Sequence, residues 1–364
     1  MNFDFSDEQR QLQDEVRRML TEVCTPVERR AVLDGKAHYA RTTWEKLIET
    51  GAAAAAIPEE YGGAGLGYPE LCLVAEEVGR QLAPVPLSSS FYLGAEVLRL
   101  GASEAQKRQW LPHIASGELI ATAALAVGER FLPEPALTFD GRMLNGAVTA
   151  LPDGAVARLA VLQTGARLVL VDLSARGVER RALPSLDPTR PFAEVHFTNV
   201  PAEPLGEVAD AAALARRVLD GAAVLLAFEQ VGGAAGALEM ARSYSLERKA
   251  FGRAIGGFQA LKHKMADIYV RNEMARVHAY YGAWALSASA PELPRAAAAA
   301  RVAAGSAFSF AAEENIEIHG GIGYTWEMDC HLYLRRARYL SQILGSVHLW
   351  QARLAGQLVR SAAA

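Results

Sequence analysis

The feature that most constrains the fold is a stretch of short apolar runs between two long regions of helical periodicity. From residue 119 to residue 208, runs of valine, leucine and threonine such as Leu168–Leu173 alternate with glycine, proline and aspartate. Asp-Gly at positions 140 and 153 and Asn-Gly at position 145 are strong turn signals, and their recurrence favours antiparallel hairpins over strand–helix–strand units. The sequence therefore predicts a compact antiparallel β region in the middle of the chain.

Helical periodicity dominates on both sides of this β region. Ser6 precedes an acidic turn, as a helix N-cap does, and apolar residues then recur at helical spacing. The glycines and the proline of a loop at Ile57–Gly67 interrupt this pattern. From about Ala211 the helical pattern returns at length. We therefore predict an α+β fold with an N-terminal α-helical domain at 1–118, a middle β domain at 119–209 and a C-terminal helical bundle at 210–364.

Composition and charge exclude several classes of function. The 364 residues are 51% hydrophobic and 21% charged, which suits a large packed core, and the net charge of -4 provides no basic surface for nucleic acid. The three cysteines, Cys24, Cys72 and Cys330, fit neither a disulfide framework nor a zinc site. No signal peptide and no membrane span are evident. We expect a cytoplasmic protein with no metal and no nucleic-acid partner.

Two segments in the C-terminal region carry chemical information. In Tyr244–Gln259, a charged helix ends at a glycine turn and an apolar helix begins. Arg248 and Arg253 flank that helix start, where cationic side chains and free backbone N–H groups suit a pyrophosphate. In Glu317–Glu327, glycines at a helix end permit close approach of a ligand to the backbone. By spacing alone, each glycine cluster is explained as well by a helix cap and turn as by a ligand-binding loop.

Together, in this order and spacing, the two segments resemble the C-terminal signatures of the acyl-CoA dehydrogenase family. The resemblance extends to Ile57–Gly67, Glu76–Gly79, Gln109–Pro112 and Leu144–Gly146, and so covers nearly the whole chain. It implies that the C-terminal domain is a four-helix bundle and that FAD lies between the β domain and the bundles of two neighbouring subunits. It also implies an oligomer that catalyses FAD-dependent α,β-dehydrogenation of an acyl-CoA substrate.

Carried over residue by residue, the resemblance implies a set of FAD-binding positions. They are Arg248, Phe251, Gly252, Gln259, Glu317, His319, Gly320, Gly321, Gly323 and Ser346. Glu317 replaces the glutamine that is usual in the family, and we expect its carboxylate to weaken the contact with an anionic cofactor. His319 is expected either to contact FAD through its backbone or to cap the helix.

The catalytic base of the family is absent from both of its usual positions. In the family a glutamate takes the α-proton while the β-hydrogen leaves as hydride to the flavin. Leu344 stands where that glutamate is usual, and Ala222 stands at the alternative position on an earlier helix. Neither side chain can abstract a proton. Asp220 is the nearest carboxylate, at a position that the family more often associates with binding CoA, so the catalytic residue is unknown.

The middle region departs from the family as well. Ala126–Pro133 lacks the Ser-Asp pair of the family's substrate loop, and Thr149–Pro152 lacks the tryptophan beside the isoalloxazine. In the family these missing residues serve the subunit's own flavin, whereas the retained segments reach the partner's FAD. The pattern resembles the non-catalytic subunit of bacterial heteromeric α2β2 acyl-CoA dehydrogenases that act on steroid-like CoA thioesters.

Other functions remain open from the sequence. A self-sufficient homo-oligomeric dehydrogenase would need an unusual base. A non-enzymatic descendant would use the fold only for assembly. An acyl-CoA oxidase would consume oxygen directly.

Overall fold

The structure, a computed structural model, describes residues 5–126 and 136–363. Most of the Ala126–Pro133 segment, where the sequence lacks the family's substrate loop, lies outside the described residues. The chain divides into two compact units. The first contains the residues up to Leu20, Cys72–Ala83 and the region from Ala223 onward, and the second contains Thr21–Leu71 and Pro84–Ala222.

The N-terminal region is helical, as predicted. Its α-helices are α1 (Asp7–Val23), α2 (Pro26–Leu33), α3 (Arg41–Glu49), α4 (Tyr68–Arg80), α5 (Glu96–Gly101) and α6 (Glu104–Ala115), with a π-helix at Ser88–Ala95. Ser6 caps α1 as expected: the Gln9 backbone N–H donates to the Ser6 hydroxyl at 3.3 Å, and the Ser6 backbone N–H donates to the Gln9 side-chain oxygen at 2.9 Å. The loop predicted at Ile57–Gly67 separates α3 from α4.

The middle region forms two four-stranded sheets in the second unit. The strands are β1 (Ala121–Ala124), β2 (Ala136–Phe139), β3 (Met143–Pro152), β4 (Leu159–Thr164), β5 (Arg167–Asp172), β6 (Val178–Leu183), β7 (Phe192–Pro201) and β8 (Glu203–Pro204). The strand orders are β1-β4-β5-β8 and β2-β3-β7-β6. All pairs in these sheets are antiparallel except β1–β4, which is parallel and whose connection contains β2 and β3 of the other sheet.

The turn signals of the β region have different outcomes. Asp140 and Gly141 form the turn between β2 and β3, and Asp153 begins a turn directly after β3. The prediction of a turn at Asn145-Gly146 is wrong, because both residues lie inside β3, where the register with β7 shifts. Gly146 has φ 115°, and a Cβ there would lie 2.1 Å from the Ala136 carbonyl oxygen. Gly146 is therefore required for the close approach of β2. The register shift is a β-bulge whose extra residue lies in β7, since Leu144 and Gly146 pair with Val200 and Phe197.

The C-terminal region is again helical. It contains α7 (Ala211–Glu247), β9 (Lys249–Ala250), β10 (Arg253–Ala254), α8 (Gln259–Ser287), α9 (Leu293–His319), α10 (Cys330–Leu340) and α11 (Val347–Ala363). Short 3₁₀ turns at Ile255–Gly257 and Gly320–Tyr324 precede α8 and follow α9. Within the described ranges, none of the helices has both the length and the apolar character that crossing a bilayer requires.

In the first unit, α4 and α7 cross with their backbones in direct contact. A Cβ on Gly79 would lie 1.9 Å from the Glu229 carbonyl oxygen, and a Cβ on Gly232 would lie 1.8 Å from the Glu76 carbonyl oxygen. Each helix therefore supplies a glycine against the other helix's backbone. No side chain can occupy either position at this separation.

Buried ion pairs surround the glycine crossing. Glu76, Glu77 and Glu229 are fully buried. Arg276 Nη1 lies 2.6 Å from Glu76, Arg17 Nη2 lies 2.9 Å from Glu77, and Arg336 Nη1 lies 3.5 Å from Glu229. A buried carboxylate without its cation would be costly, so these arginines, which come from α1, α8 and α10, offset the charges buried beside the crossing.

We expect Gly232→Ala to destabilise the protein by about 3 kcal/mol, because the methyl group must push two helix backbones apart. Urea denaturation followed by circular dichroism measures the change. Gly257→Ala is the matched control, since a Cβ there would meet only the Arg253 side chain at 3.5 Å. Equal stability of the two variants would contradict the direct backbone contact.

Candidate functional site

The first predicted segment folds as a β-hairpin that follows α7. β9 and β10 pair antiparallel, and Phe251 and Gly252 form the two-residue turn with φ of 51° and 80°. Two successive positive φ values are typical of a type I′ hairpin turn, which a phenylalanine adopts only at some cost in backbone strain. Phe251 is 95% exposed. The sequence indicated a glycine turn here but not the hairpin, whose tip carries an aromatic ring into solvent.

The two arginines of this segment have different environments. Arg253 lies over the Phe258 ring, with its guanidinium carbon 4.1 Å from the ring centroid. Arg248 is exposed and makes no side-chain hydrogen bond or ion pair with any residue in the described part of the chain. Gln259 is exposed at the start of α8. Among the described residues, Arg248 is therefore a cation without an internal partner, beside the hairpin.

The second predicted segment is the C-terminal end of α9. Gly320 has φ 65°, and neither Gly320 nor Gly321 would bring a Cβ within 4 Å of another atom. A Cβ on Gly323 would lie 2.6 Å from the Ile316 carbonyl oxygen. Gly323 is therefore required for packing and Gly320 for backbone conformation. Neither requirement applies to Gly321, whose backbone is exposed and open to a ligand.

The His319 side chain packs within the protein. Its ring stacks on Tyr244, with 4.2 Å between centroids, and its Nδ1 lies 2.8 Å from the Asn315 carbonyl oxygen. Because a carbonyl only accepts, Nδ1 carries a proton and the neutral ring has its lone pair at Nε2. Nε2 is buried and meets no hydrogen-bond partner among the described residues. Burial lowers the pKa of His319, in agreement with this neutral form.

Glu317 has a cationic partner that the sequence did not reveal. Lys264 Nζ lies 3.0 Å from a Glu317 carboxylate oxygen and also contacts Glu314. These contacts connect α8 to the last turns of α9. The repulsion expected between Glu317 and an anionic cofactor is therefore opposed by a lysine in direct contact with the carboxylate.

The two positions at which the resemblance places a catalytic base, Leu344 and Ala222, are buried and apolar. Leu344 is 3% exposed, and its carbonyl accepts from Trp350 Nε1 at 2.9 Å. Ser346 precedes α11, and its hydroxyl accepts from the Leu349 N–H at 3.4 Å. On α7, Ala222 and Asp220 are 1% and 2% exposed.

The structure brings the two predicted cofactor segments together within the first unit. Tyr244, just before the hairpin, stacks on His319, and Lys264, one turn after Gln259, reaches Glu317. Sequence reasoning assigned no role to Tyr244 or Lys264. Lys264 meets a carboxylate 53 positions away, and no local pattern signals such a contact.

A helical region, a region of two four-stranded sheets and a second helical region follow one another along the chain. Residues 6–118 match the family model described as acyl-CoA dehydrogenase, N-terminal domain, and residues 212–355 match that of the C-terminal domain. The chain belongs to the acyl-CoA dehydrogenase family of oxidoreductases, and the predicted α+β fold class is confirmed. The predicted domain boundaries stay a prediction.

Several known proteins are similar over nearly the whole chain. The acyl-CoA dehydrogenase IpdE2 of Mycobacterium tuberculosis is 35% identical over 348 residues, which cover 93% of this chain and 94% of that protein. A chain in the structure of a variant of the Tcur3481-Tcur3483 steroid ACAD is 30% identical, with a TM-score of 0.88. The match covers 98% of this chain and 99% of that chain. A chain in the structure of the ChsE4-ChsE5 complex from Mycobacterium tuberculosis is 26% identical, with a TM-score of 0.88. The match covers 99% of this chain and 99% of that chain.

The pKa shift of His319 predicts a pH dependence of stability. Because the folded state disfavours the protonated ring, this contribution to stability is present above the ordinary pKa of about 6.5 and is lost as the pH falls below it. We expect His319→Gln to lose less of its free energy of unfolding between pH 7 and pH 5 than the unsubstituted protein. Urea denaturation at both pH values measures this, with exposed His348→Gln as the control. Equal pH dependence in the His319 variant and the unsubstituted protein would contradict the buried neutral ring.

Proposed function

We propose that this chain is the non-catalytic subunit of a heteromeric acyl-CoA dehydrogenase and lends FAD contacts in trans to a catalytic partner of the same family. FAD would accept the hydride in the α,β-dehydrogenation of an acyl-CoA thioester. The partner would supply the carboxylate that takes the α-proton. This chain would supply binding groups at the FAD of the assembly.

The observation that carries the proposal is the burial of apolar side chains at both positions of the family's base. Leu344 and Ala222 have no proton-accepting atom, and each is almost completely buried. A general base must reach the proton that it removes and must have a lone pair to accept it. Asp220 has a carboxylate, which can accept a proton, but its side chain is 2% exposed and lies within the packed interior of its unit. It therefore does not take over the role in this proposal.

The proposed cofactor residues include groups of the kind that bind the anionic and planar parts of FAD. Arg248 would provide a cation for the pyrophosphate, and Phe251 would provide an exposed ring for stacking. The open backbone at Gly320 and Gly321 would allow close approach, since no side chain covers it. Gly252 allows the hairpin turn, and Gln259, Glu317, His319, Gly323 and Ser346 complete the proposed set. These groups point to a cofactor held against the surface of this chain.

The similar structures support a two-chain assembly and a bulky substrate. The names of two of them, Tcur3481-Tcur3483 and ChsE4-ChsE5, each join two different chains. The first is also called a steroid ACAD. By similarity, we propose a second acyl-CoA dehydrogenase-like chain as the partner and a steroid-type CoA thioester as the substrate.

The test is the visible spectrum of the purified chain, alone and co-expressed with candidate catalytic acyl-CoA dehydrogenase chains of its own genome. We expect a colourless lone chain and a yellow complex that acyl-CoA bleaches under anaerobic conditions. Bleaching by the lone chain would instead support a self-sufficient dehydrogenase. Absence of flavin from every pairing would support an assembly subunit, and direct oxygen consumption would support an oxidase.

We expect Phe251→Ala and Arg248→Gln each to lower the FAD content of the complex about tenfold or more, because each removes an outward-facing contact. The unfolding free energy of the lone chain should change by less than about 0.5 kcal/mol, since both side chains are exposed. Flavin absorbance per complex after gel filtration gives the first quantity, and urea denaturation gives the second. Full retention of FAD in both variants would overturn the trans contribution.

A further inference from the structure

The glutamate at the end of α9 raises an electrostatic difficulty for the proposed cofactor site. Glu317 side-chain exposure is 59%, and it lies three residues before the open Gly320 backbone. Glu314 is one turn earlier and is 17% exposed. Two carboxylates near an anionic dinucleotide would repel it and so weaken its binding.

Lys264 is placed to remove this difficulty. Its ammonium group contacts both carboxylates, lies 3.0 Å from Glu317, and is 35% exposed. The two hydrogen bonds raise the pKa of Lys264, so the lysine stays charged in the physiological range. The group of Lys264, Glu314 and Glu317 carries a net charge of -1, against -2 without the lysine.

The pairing of α8 with α9 has a packing basis apart from this cluster. Gly282 of α8 faces Ala300 of α9, and a Cβ on Gly282 would lie 3.6 Å from the Ala300 Cβ. Both residues are buried. A partly exposed ion pair adds little to such a contact, typically less than about 1 kcal/mol.

We propose that Lys264 is a positioning residue for FAD: it holds Glu317 in place and cancels carboxylate charge, so that the α9 end accepts an anionic dinucleotide. Held in this way, Glu317 can still accept hydrogen bonds from cofactor hydroxyl groups, as acidic residues do in other dinucleotide sites. This inference rests on the proposed function, because it concerns the same FAD site.

The test is a double-mutant cycle on the FAD-holding complex, with the dissociation constant of FAD measured by recovery of flavin absorbance and fluorescence quenching. We expect Lys264→Gln to weaken FAD binding about fivefold to tenfold, and more at low ionic strength. Glu317→Gln should restore most of this affinity in the Lys264→Gln background, because it removes the charge that the lysine cancelled. Lys264→Arg should retain affinity close to that of the unsubstituted complex.

Lys262→Gln is the matched control, since Lys262 is an exposed lysine of α8 that forms no ion pair within the described ranges. Its affinity should change less than twofold. A similar loss for Lys262→Gln and Lys264→Gln would show a general charge effect and overturn the inference. Equal affinity of Lys264→Gln with and without Glu317→Gln would also overturn it, because a merely structural lysine predicts no rescue.

The two proposals fail in different ways. If the unsubstituted complex holds no FAD, the proposed function is wrong and the role of Lys264 falls with it. If the complex holds FAD tightly and Lys264→Gln leaves the dissociation constant unchanged, only the role of Lys264 is wrong. Thermal unfolding of the lone Lys264→Gln chain should shift by no more than about 2 °C. A larger shift would identify a structural role instead.

Discussion

The crossing of α4 and α7 is the constraint on which the helical unit depends. Gly79 and Gly232 allow two backbones to touch, and Glu76 and Glu229 are buried beside this contact. Such carboxylates require cations, which Arg276 and Arg336 bring from other helices. The orientation of α7 therefore follows from a steric fit and from charge pairing together. Because α7 leads directly into the hairpin, the same crossing determines where Arg248 and Phe251 are presented.

The candidate site separates into residues that hold the fold and residues that face outward. Gly323 and the His319 ring are engaged within the protein, by close backbone packing and by stacking on Tyr244. Arg248 and Phe251 have exposed side chains. Leu344 and Ala222, where the resemblance places the base, are buried and have no group that accepts a proton. This division suits a chain that binds a cofactor at its surface and leaves proton abstraction to another chain.

Much of the fold was predictable because local signals coincide with the final structure. The Ser6 cap, the Ile57–Gly67 loop and the Asp140-Gly141 turn use short-range backbone preferences. Asn145-Gly146 shows the limit of such preferences, since the same dipeptide forms a hairpin turn or lies inside a strand according to how the neighbouring strands pair. The β9–β10 hairpin was missed because a phenylalanine at positive φ is not a usual turn residue.

The sequence by itself determined the order of helical and β regions, the two glycine-containing segments and the absence of a carboxylate at Leu344 and Ala222. These are matters of residue type and local spacing. Only the tertiary structure decided that Glu317 is paired with Lys264, that His319 is neutral and stacked, and that Gly79 meets the backbone of α7. Those properties depend on contacts between residues that are far apart in the chain. The distances and the burial at these contacts determine the charge state and the steric fit, and neither distance nor burial can be derived from local sequence.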